Sequence, residues 1–160
     1  MMMLTRLTAA MLPMVLFSWA ALADPIADLT GYWSGNGSVS LGSGKTERVK
    51  CSVIYKAEGG NQIRQTMRCA SADYAINALA ELRIKGGQVS GTWEERTYSA
   101  KGDVTGRFAG ESFSLQIQGA NFSAAMNVTL ANCKQSLSIT PQGLDVSKVS
   151  INLAKERCGV

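Results

Sequence analysis

Alternation of apolar and polar side chains is clearest between residues 49 and 69. This segment has two arms, residues 49–55 and 63–69, joined by a run at residues 58–61 that contains two glycines. The odd positions of the arms carry Val49, Cys51, Val53, Tyr55, Ile63, Met67 and Cys69. The even positions are polar apart from Ile54. A period of two is typical of a half-buried strand, so the pattern predicts a β-hairpin.

The cysteines of this hairpin support one register. Folding the arms about residue 60 places Cys51 opposite Cys69, within disulfide reach on antiparallel strands. A slip of one residue would put the two cysteines on opposite faces. We therefore expect a Cys51–Cys69 disulfide if the chain is exported, and two buried free thiols otherwise. The remaining pair, Cys133 and Cys158, would then tie down the C-terminal tail.

The same alternation recurs along the rest of the chain, with turn-like residues between the segments. A first strand is predicted over Leu29–Leu41, and a last strand is predicted to carry Val149, Ile151 and Leu153. The intervening hairpins are predicted to pair Ile84 with Val89, Leu82 with Gly91, Ala80 with Trp93, Phe108 with Phe113, Gly106 with Leu115, Val104 with Ile117, Ile117 with Phe122, Leu115 with Ala124 and Phe113 with Met126.

One segment, residues 73–85, is ambiguous. Its alanines and leucines and the following Gly86 would suit a helix. Its apolar residues nevertheless alternate strictly from Tyr74 to Ile84, and the Gly86-Gly87 turn fits a hairpin with the next arm. We therefore predict a strand, with a helix as the alternative.

Together these segments predict an all-β fold, an antiparallel up-and-down meander of eight to ten strands. A meander with one apolar face has two open edges, and closing it into a barrel buries the face and removes the edges. A two-sheet β-sandwich is the alternative architecture. Gly91 and Gly106 lie on the predicted inward face and are expected to mark bends in the strands.

The first 23 residues predict a secretory signal peptide. Arg6 is the one charged side chain of residues 1–8, residues 9–22 are mostly apolar, and Ala21-Leu22-Ala23 forms a small-x-small cleavage site. An uncleaved anchor fits less well because the apolar run is short. Cleavage after Ala23 leaves residues 24–160 as a single barrel domain without a further transmembrane segment. We expect a periplasmic or secreted protein, in which paired cysteines persist.

Composition excludes several function classes. The formal net charge of +4 is small and scattered, and no basic run has interleaved aromatics, so nucleic-acid binding is not expected. Gly42-Ser43-Gly44-Lys45-Thr46 resembles part of a phosphate-binding loop, but Val39 stands where the full motif has its first glycine. We interpret this run as a hairpin turn.

The chain contains no histidine, which excludes Ser-His-Asp and Cys-His catalysis and histidine metal sites. With the cysteines oxidised and no C-x-x-C pair, thiolate ligands and redox chemistry are also excluded. Glu94 and Glu95 are adjacent on a strand and point to opposite faces, so we interpret them as solvated charges. We expect no enzyme activity, no cofactor and no metal.

Three segments share the order apolar, hydroxyl, glycine, variable, aromatic: residues 29–33, 89–93 and 104–108. In this respect the chain resembles the calycins, the group of lipocalins and fatty-acid-binding proteins, with small bacterial barrels like them. Gly31-Tyr32-Trp33 matches the lipocalin Gly-x-Trp, whose tryptophan packs under a basic residue near the last strand. Lys155 and Arg157 are the candidates for that residue. The resemblance implies a closed barrel, often with a ligand in its lumen.

Eight aromatic and methionine side chains are predicted to point inward: Tyr55, Met67, Tyr74, Trp93, Phe108, Phe113, Phe122 and Met126. They suit either a packed core or a partly hollow lumen that binds a small apolar molecule. We expect the second, a non-enzymatic barrel with a small apolar ligand. The alternative is a binding or inhibitory module that acts on an envelope protein or hydrolase, with a hydrolase as a more distant third.

Overall fold

The computed structural model describes residues 24–159, and the predicted signal peptide at residues 1–23 lies outside this described part. The described chain forms one short helix and ten strands. The elements are α1 (Pro25–Leu29), β1 (Gly31–Leu41), β2 (Thr46–Gly59), β3 (Gln62–Ala70), β4 (Ala75–Lys85), β5 (Gln88–Glu95), β6 (Ala100–Ala109), β7 (Ser112–Gly119), β8 (Ser123–Ala131), β9 (Lys134–Gln142) and β10 (Val146–Lys155).

The ten strands form one closed antiparallel barrel. Each strand pairs with its neighbours in sequence, and β10 returns to pair with β1. That last pairing runs from Trp33–Lys155 to Leu41–Val146, with a register shift at Ser40/Leu41. Closure removes the exposed edges that an open meander would have. The predicted all-β barrel is confirmed with ten strands, and the sandwich alternative is wrong.

Most predicted hairpin registers are confirmed. In β2–β3, Cys51 lies opposite Cys69 and Tyr55 opposite Gln65. The ambiguous segment is strand β4, and it pairs with β5 so that Ala80 faces Trp93. The strict alternation of its apolar residues therefore outweighed their helix propensity, because only a strand places those residues together in the barrel core.

The predicted β7–β8 register is wrong by two residues. Ile117 lies opposite Ala124, whereas the sequence predicted Phe122. The turn is wider than expected: β8 begins at Ser123, and the Gly119 N–H donates a hydrogen bond of 2.9 Å to the Phe122 carbonyl. Phe122 is thereby free to pack its ring on Trp93, with 5.7 Å between ring centroids. A two-residue offset preserves the alternation, so the inward face is unchanged.

The start of the first strand also differs from the prediction. β1 begins at Gly31, and Leu29 instead ends α1. Asp24 starts this helix because its side chain accepts hydrogen bonds from the N–H groups of Ile26 (3.0 Å) and Ala27 (3.3 Å), and Pro25 suits the first helical position. Leu29 is buried. The helix thus carries one apolar side chain into the end of the barrel.

Inward side chains of all ten strands form the core, and two glycines are required by its geometry. A Cβ atom at Gly91 would overlap the Glu81 carbonyl oxygen, and one at Gly106 would overlap the Ser114 carbonyl oxygen. Neighbouring strands therefore approach these two positions more closely than any side chain allows. This agrees with the expected bends in the strands.

The interpretation of Glu95 as a solvated charge is wrong. Glu94 is exposed, as expected, but Glu95 is only 5% exposed. Its carboxylate accepts hydrogen bonds from three backbone N–H groups, those of Asn77 (2.8 Å), Thr97 (3.1 Å) and Tyr98 (2.6 Å). The β5–β6 turn curls around the carboxylate and satisfies it, which sequence alternation cannot reveal.

Both expected disulfides form, Cys51–Cys69 and Cys133–Cys158. The first joins β2 to β3, and the second ties the chain after β10 to the β8–β9 turn. Two disulfides suggest an oxidising environment outside the cytoplasm. Within residues 24–159, no helix has the length and apolar character needed to cross a membrane.

We expect the double substitution Cys51→Ser/Cys69→Ser to lower the free energy of unfolding by about 3 kcal/mol, because the bridge restricts the unfolded chain. Urea unfolding of the oxidised proteins measures the change. Cys133→Ser/Cys158→Ser is the matched control, since that bridge closes a loop of similar length: the sequence separations are 18 and 25 residues. A midpoint equal to that of wild type would mean that the hairpin bridge contributes nothing.

Candidate ligand site in the barrel lumen

A small cavity lies in the barrel lumen. Its volume is about 30 Å³. Its lining is apolar apart from two side chains, and consists of Leu29, Tyr55, Gln65, Ala80, Leu82, Trp93, Val104, Phe113, Leu115, Ile117, Met126 and Val128. These residues come from α1 and from seven consecutive strands, β2 to β8, whereas β9, β10 and β1 contribute none.

Four of the eight predicted lumen residues line this cavity: Tyr55, Trp93, Phe113 and Met126. Whether they contact a ligand stays a prediction. Met67 is buried in the core away from the cavity wall.

The other three predicted residues lie near the ends of the barrel. Tyr74 precedes β4 and packs on Tyr98, with ring centroids 5.7 Å apart. Phe122 is buried in the β7–β8 turn. Phe108 packs on Phe113 at 4.5 Å and also borders an outer groove beside α1. Alternation placed these residues on the correct face but did not give their depth along the barrel axis.

The sequence reasoning missed the polar side chains of the lumen. Gln65 and Gln135 are 8% and 1% exposed, and both occupy inward positions of their strands. The sequence did indicate that Gln65 points inward, because this polar residue occupies an odd position in an arm whose other odd positions are apolar. Leu29 was missed for another reason, since it was assigned to a strand.

Tyr55, Gln65 and Gln135 form a buried polar cluster. The Tyr55 hydroxyl oxygen accepts a hydrogen bond of 3.2 Å from Gln65 Nε2 and one of 2.8 Å from Gln135 Nε2. Gln135 Oε1 is the one buried side-chain polar atom without a hydrogen-bond partner in the described part of the chain. An unpaired buried acceptor costs about 1–3 kcal/mol, so this cluster is unusual for a packed core.

Burial also governs the ionisation of two tyrosines. It raises the pKa of Tyr55 to about 12, against the smaller opposing effect of hydrogen bonds from Gln135 and Gln65. Burial, followed by the neighbouring Tyr98, raises the pKa of Tyr74 to about 12. Tyr55 is therefore a neutral hydroxyl at any physiological pH. It can donate and accept hydrogen bonds but carries no charge.

The end of the lumen next to α1 is closed by Trp33 and Lys155. The Trp33 indole N–H donates to the Leu29 carbonyl at 2.7 Å, and the Lys155 ammonium donates to the Asp28 carbonyl at 2.9 Å. The same ammonium lies 5.5 Å from the centroid of the Trp33 ring. Of the two basic residues considered from the lipocalin resemblance, Lys155 is therefore the one that packs on the tryptophan.

Trp93 separates the lumen cavity from the outside. Trp93 occupies an inward position of β5, and an outer groove of about 720 Å³ lies on the other face of the same strand. Gly102 lies opposite Trp93 on β6, and Gly119 lies opposite Gly102 on β7. The Phe122 ring occupies the space that a side chain at Gly119 would need, and it packs on Trp93 there.

Between residues 24 and 159, no group of three or more Cys, Asp or Glu side chains is arranged to hold a metal ion. The described lysines and arginines are exposed apart from Lys155, which is half-buried at the end of the barrel. The lining of the lumen cavity contains no charged side chain.

Comparison with known proteins supports the fold at a coarse level. No protein-family model matches the chain, and no curated protein matches it. Rv2717c from M. tuberculosis is similar in structure, with a TM-score of 0.67, 14% identity, and coverage of 85% of this chain and 99% of that chain. The S-type phycobiliprotein lyase CPES from Guillardia theta has a TM-score of 0.59, 12% identity, and coverage of 84% and 92%. These likenesses support a calycin-like fold.

Tyr55→Phe should lower the free energy of unfolding at neutral pH by about 1–3 kcal/mol, because it leaves two buried amide N–H groups without their acceptor. Urea unfolding measures this loss. Tyr32→Phe, which removes an exposed hydroxyl, is the control and should leave stability unchanged.

The same variant, Tyr55→Phe, also tests how the free energy of unfolding falls at alkaline pH. The unfolded chain ionises its tyrosines near pH 10, whereas native Tyr55 stays neutral until about 12. The contribution of Tyr55 to wild-type stability is therefore fully present below pH 10 and is lost as the pH rises toward 12. Tyr55→Phe should show a shallower fall over this range. Equal slopes for the two proteins would contradict the burial of the hydroxyl.

Proposed function

We propose that this protein is a non-enzymatic, exported barrel of the periplasm that binds a small, mostly apolar molecule in its lumen. The observation that carries the proposal is the lumen cavity, whose lining is apolar except for Tyr55 and Gln65. Ligand pockets commonly combine such a lining with a few polar groups that orient the ligand. The two disulfides are in keeping with a periplasmic location.

Binding requires the cavity to enlarge. At about 30 Å³ it has room for about one or two water molecules, whereas pockets for small molecules usually measure about 300–1,000 Å³. A ligand must displace side chains, and the cost of doing so reduces its affinity.

Movement of Trp93 is the most direct way to enlarge the cavity. Trp93 is only half-buried and packs on Phe122 in the β7–β8 turn, so movement of its indole toward that end of the barrel would enlarge the cavity. Two other lining residues can also adapt. Met126 has a flexible side chain, and Leu29 belongs to a helix of only five residues.

A second candidate function is binding to an envelope protein through the outer face of the barrel. Tyr32 and Ile54 lie directly opposite each other on β1 and β2 and point outward, with 41% and 50% of their surfaces exposed. Such adjacent exposed apolar side chains suit a protein contact. The pair is small, so it supports this function less strongly than the lumen supports ligand binding.

Native mass spectrometry of the mature protein, purified from the periplasm without denaturation, tests the lumen proposal. We expect a stoichiometric adduct of a small molecule that solvent extraction releases. The controls are two alanines of β4, both buried: Ala80 lines the cavity and Ala78 does not. Ala80→Val should abolish the adduct because it fills the cavity, whereas Ala78→Val should retain it.

Two outcomes would contradict the proposal. One is an adduct-free mass for wild type under conditions in which both disulfides are intact. The other is an adduct that Ala80→Val and Ala78→Val retain equally, which would place the ligand outside the lumen. Recovery of a protein bound through Tyr32 and Ile54, lost in Ile54→Ser, would instead support the second function.

A further inference from the structure

The polar cluster in the lumen has more hydrogen-bonding capacity than the protein itself uses. A hydroxyl group has one donor and two acceptor positions. The Tyr55 oxygen accepts from both Gln65 Nε2 and Gln135 Nε2, so its acceptor positions are filled and its own hydrogen is left as a donor. Gln135 Oε1, in the same cluster, is an acceptor without a donor; Gln135 does not line the present cavity, so a ligand reaches it only when the cavity enlarges.

The cluster is also uncharged, and one cation lies near it: the Lys155 ammonium is 5.5 Å from the centroid of the Trp33 ring, which packs edge-on against Tyr55. Among residues 24–159, Glu95 is the one buried charged side chain, and three backbone N–H groups already satisfy it. Lys155 is engaged at the α1 end by the Asp28 carbonyl. Because the Asp28 carbonyl and the Trp33 ring already hold this ammonium, a carboxylate beside Tyr55 would gain a counter-charge only by displacing it, and would otherwise be buried at a high cost in desolvation.

From these observations we propose that the lumen ligand carries a neutral hydroxyl group, which is held by Tyr55 and the two glutamines. The ligand oxygen accepts the Tyr55 hydrogen, and the ligand hydrogen is donated to a glutamine side-chain carbonyl. The ligand class is thus a neutral alcohol with an apolar body, rather than a fatty acid or a hydrocarbon. This inference rests on the proposed function, because it assigns the polar contacts of the same lumen.

Three probes of similar size separate these classes: benzyl alcohol, toluene and benzoate. Isothermal titration of the folded, disulfide-intact protein gives the dissociation constant of each probe. The decisive quantity is the ratio of the benzyl alcohol and toluene constants in each variant, because this ratio cancels the general apolar affinity of the lumen. Benzoate should bind at least tenfold more weakly than benzyl alcohol.

Gln135→Met keeps the length of the side chain but removes its hydrogen-bonding groups. We expect it to weaken benzyl alcohol binding at least tenfold and to leave toluene binding unchanged. Gln65→Met should shift the ratio in the same direction, which provides a second variant if the first does not fold. Leu137→Met is the matched control, since Leu137 is an equally buried residue two positions along β9 from Gln135 and should leave the ratio unchanged.

The outcomes distinguish the two proposals. If toluene binds in the lumen but neither glutamine variant changes the ratio, the cluster is structural, or holds only water, and the hydroxyl assignment is wrong. Benzoate binding as tight as that of benzyl alcohol would also overturn it. If none of the probes binds to wild type, lumen binding itself fails, and the hydroxyl assignment fails with it.

Discussion

Strands β1 and β10 lie at opposite ends of the domain sequence, and their pairing from Trp33–Lys155 to Leu41–Val146 closes the sheet. The other pairings join sequence neighbours, so this seam is what turns a meander into a barrel with an interior. At one end of the seam, Trp33 and Lys155 also hold the two carbonyls that anchor α1. The helix in turn places Leu29 in the lumen wall, so the shape of the lumen depends on closure.

The lumen combines two opposing tendencies. Its apolar side chains leave only about 30 Å³ of space, as expected for a barrel stabilised by close packing. Yet Tyr55, Gln65 and Gln135 place polar groups in the same interior, and one amide oxygen stays unpaired. Apolar side chains of similar volume would avoid that cost. Departures from optimal packing are expected at binding sites. We therefore interpret the polar cluster as part of a binding site.

Alternation alone predicted most of the strand registers, because a closed barrel buries one face of every strand. It could not predict features set by depth or by turns. Phe122 left its predicted position because the β7–β8 turn is wider, and Glu95 is buried because a turn wraps its carboxylate. Half of the predicted lumen residues line the cavity. Gln135 escaped notice because its inward side chain meets Tyr55 across eighty residues of sequence.

The most direct test of this account is a crystal structure of the mature, oxidised protein grown with saturating benzyl alcohol. We predict electron density for the alcohol in the lumen, with its oxygen about 2.5–3.0 Å from the Tyr55 oxygen. Trp93 or Leu29 should move outward to make room. A lumen that keeps Trp93 and Leu29 in place, with water or nothing beside Tyr55 and Gln135, would contradict the account.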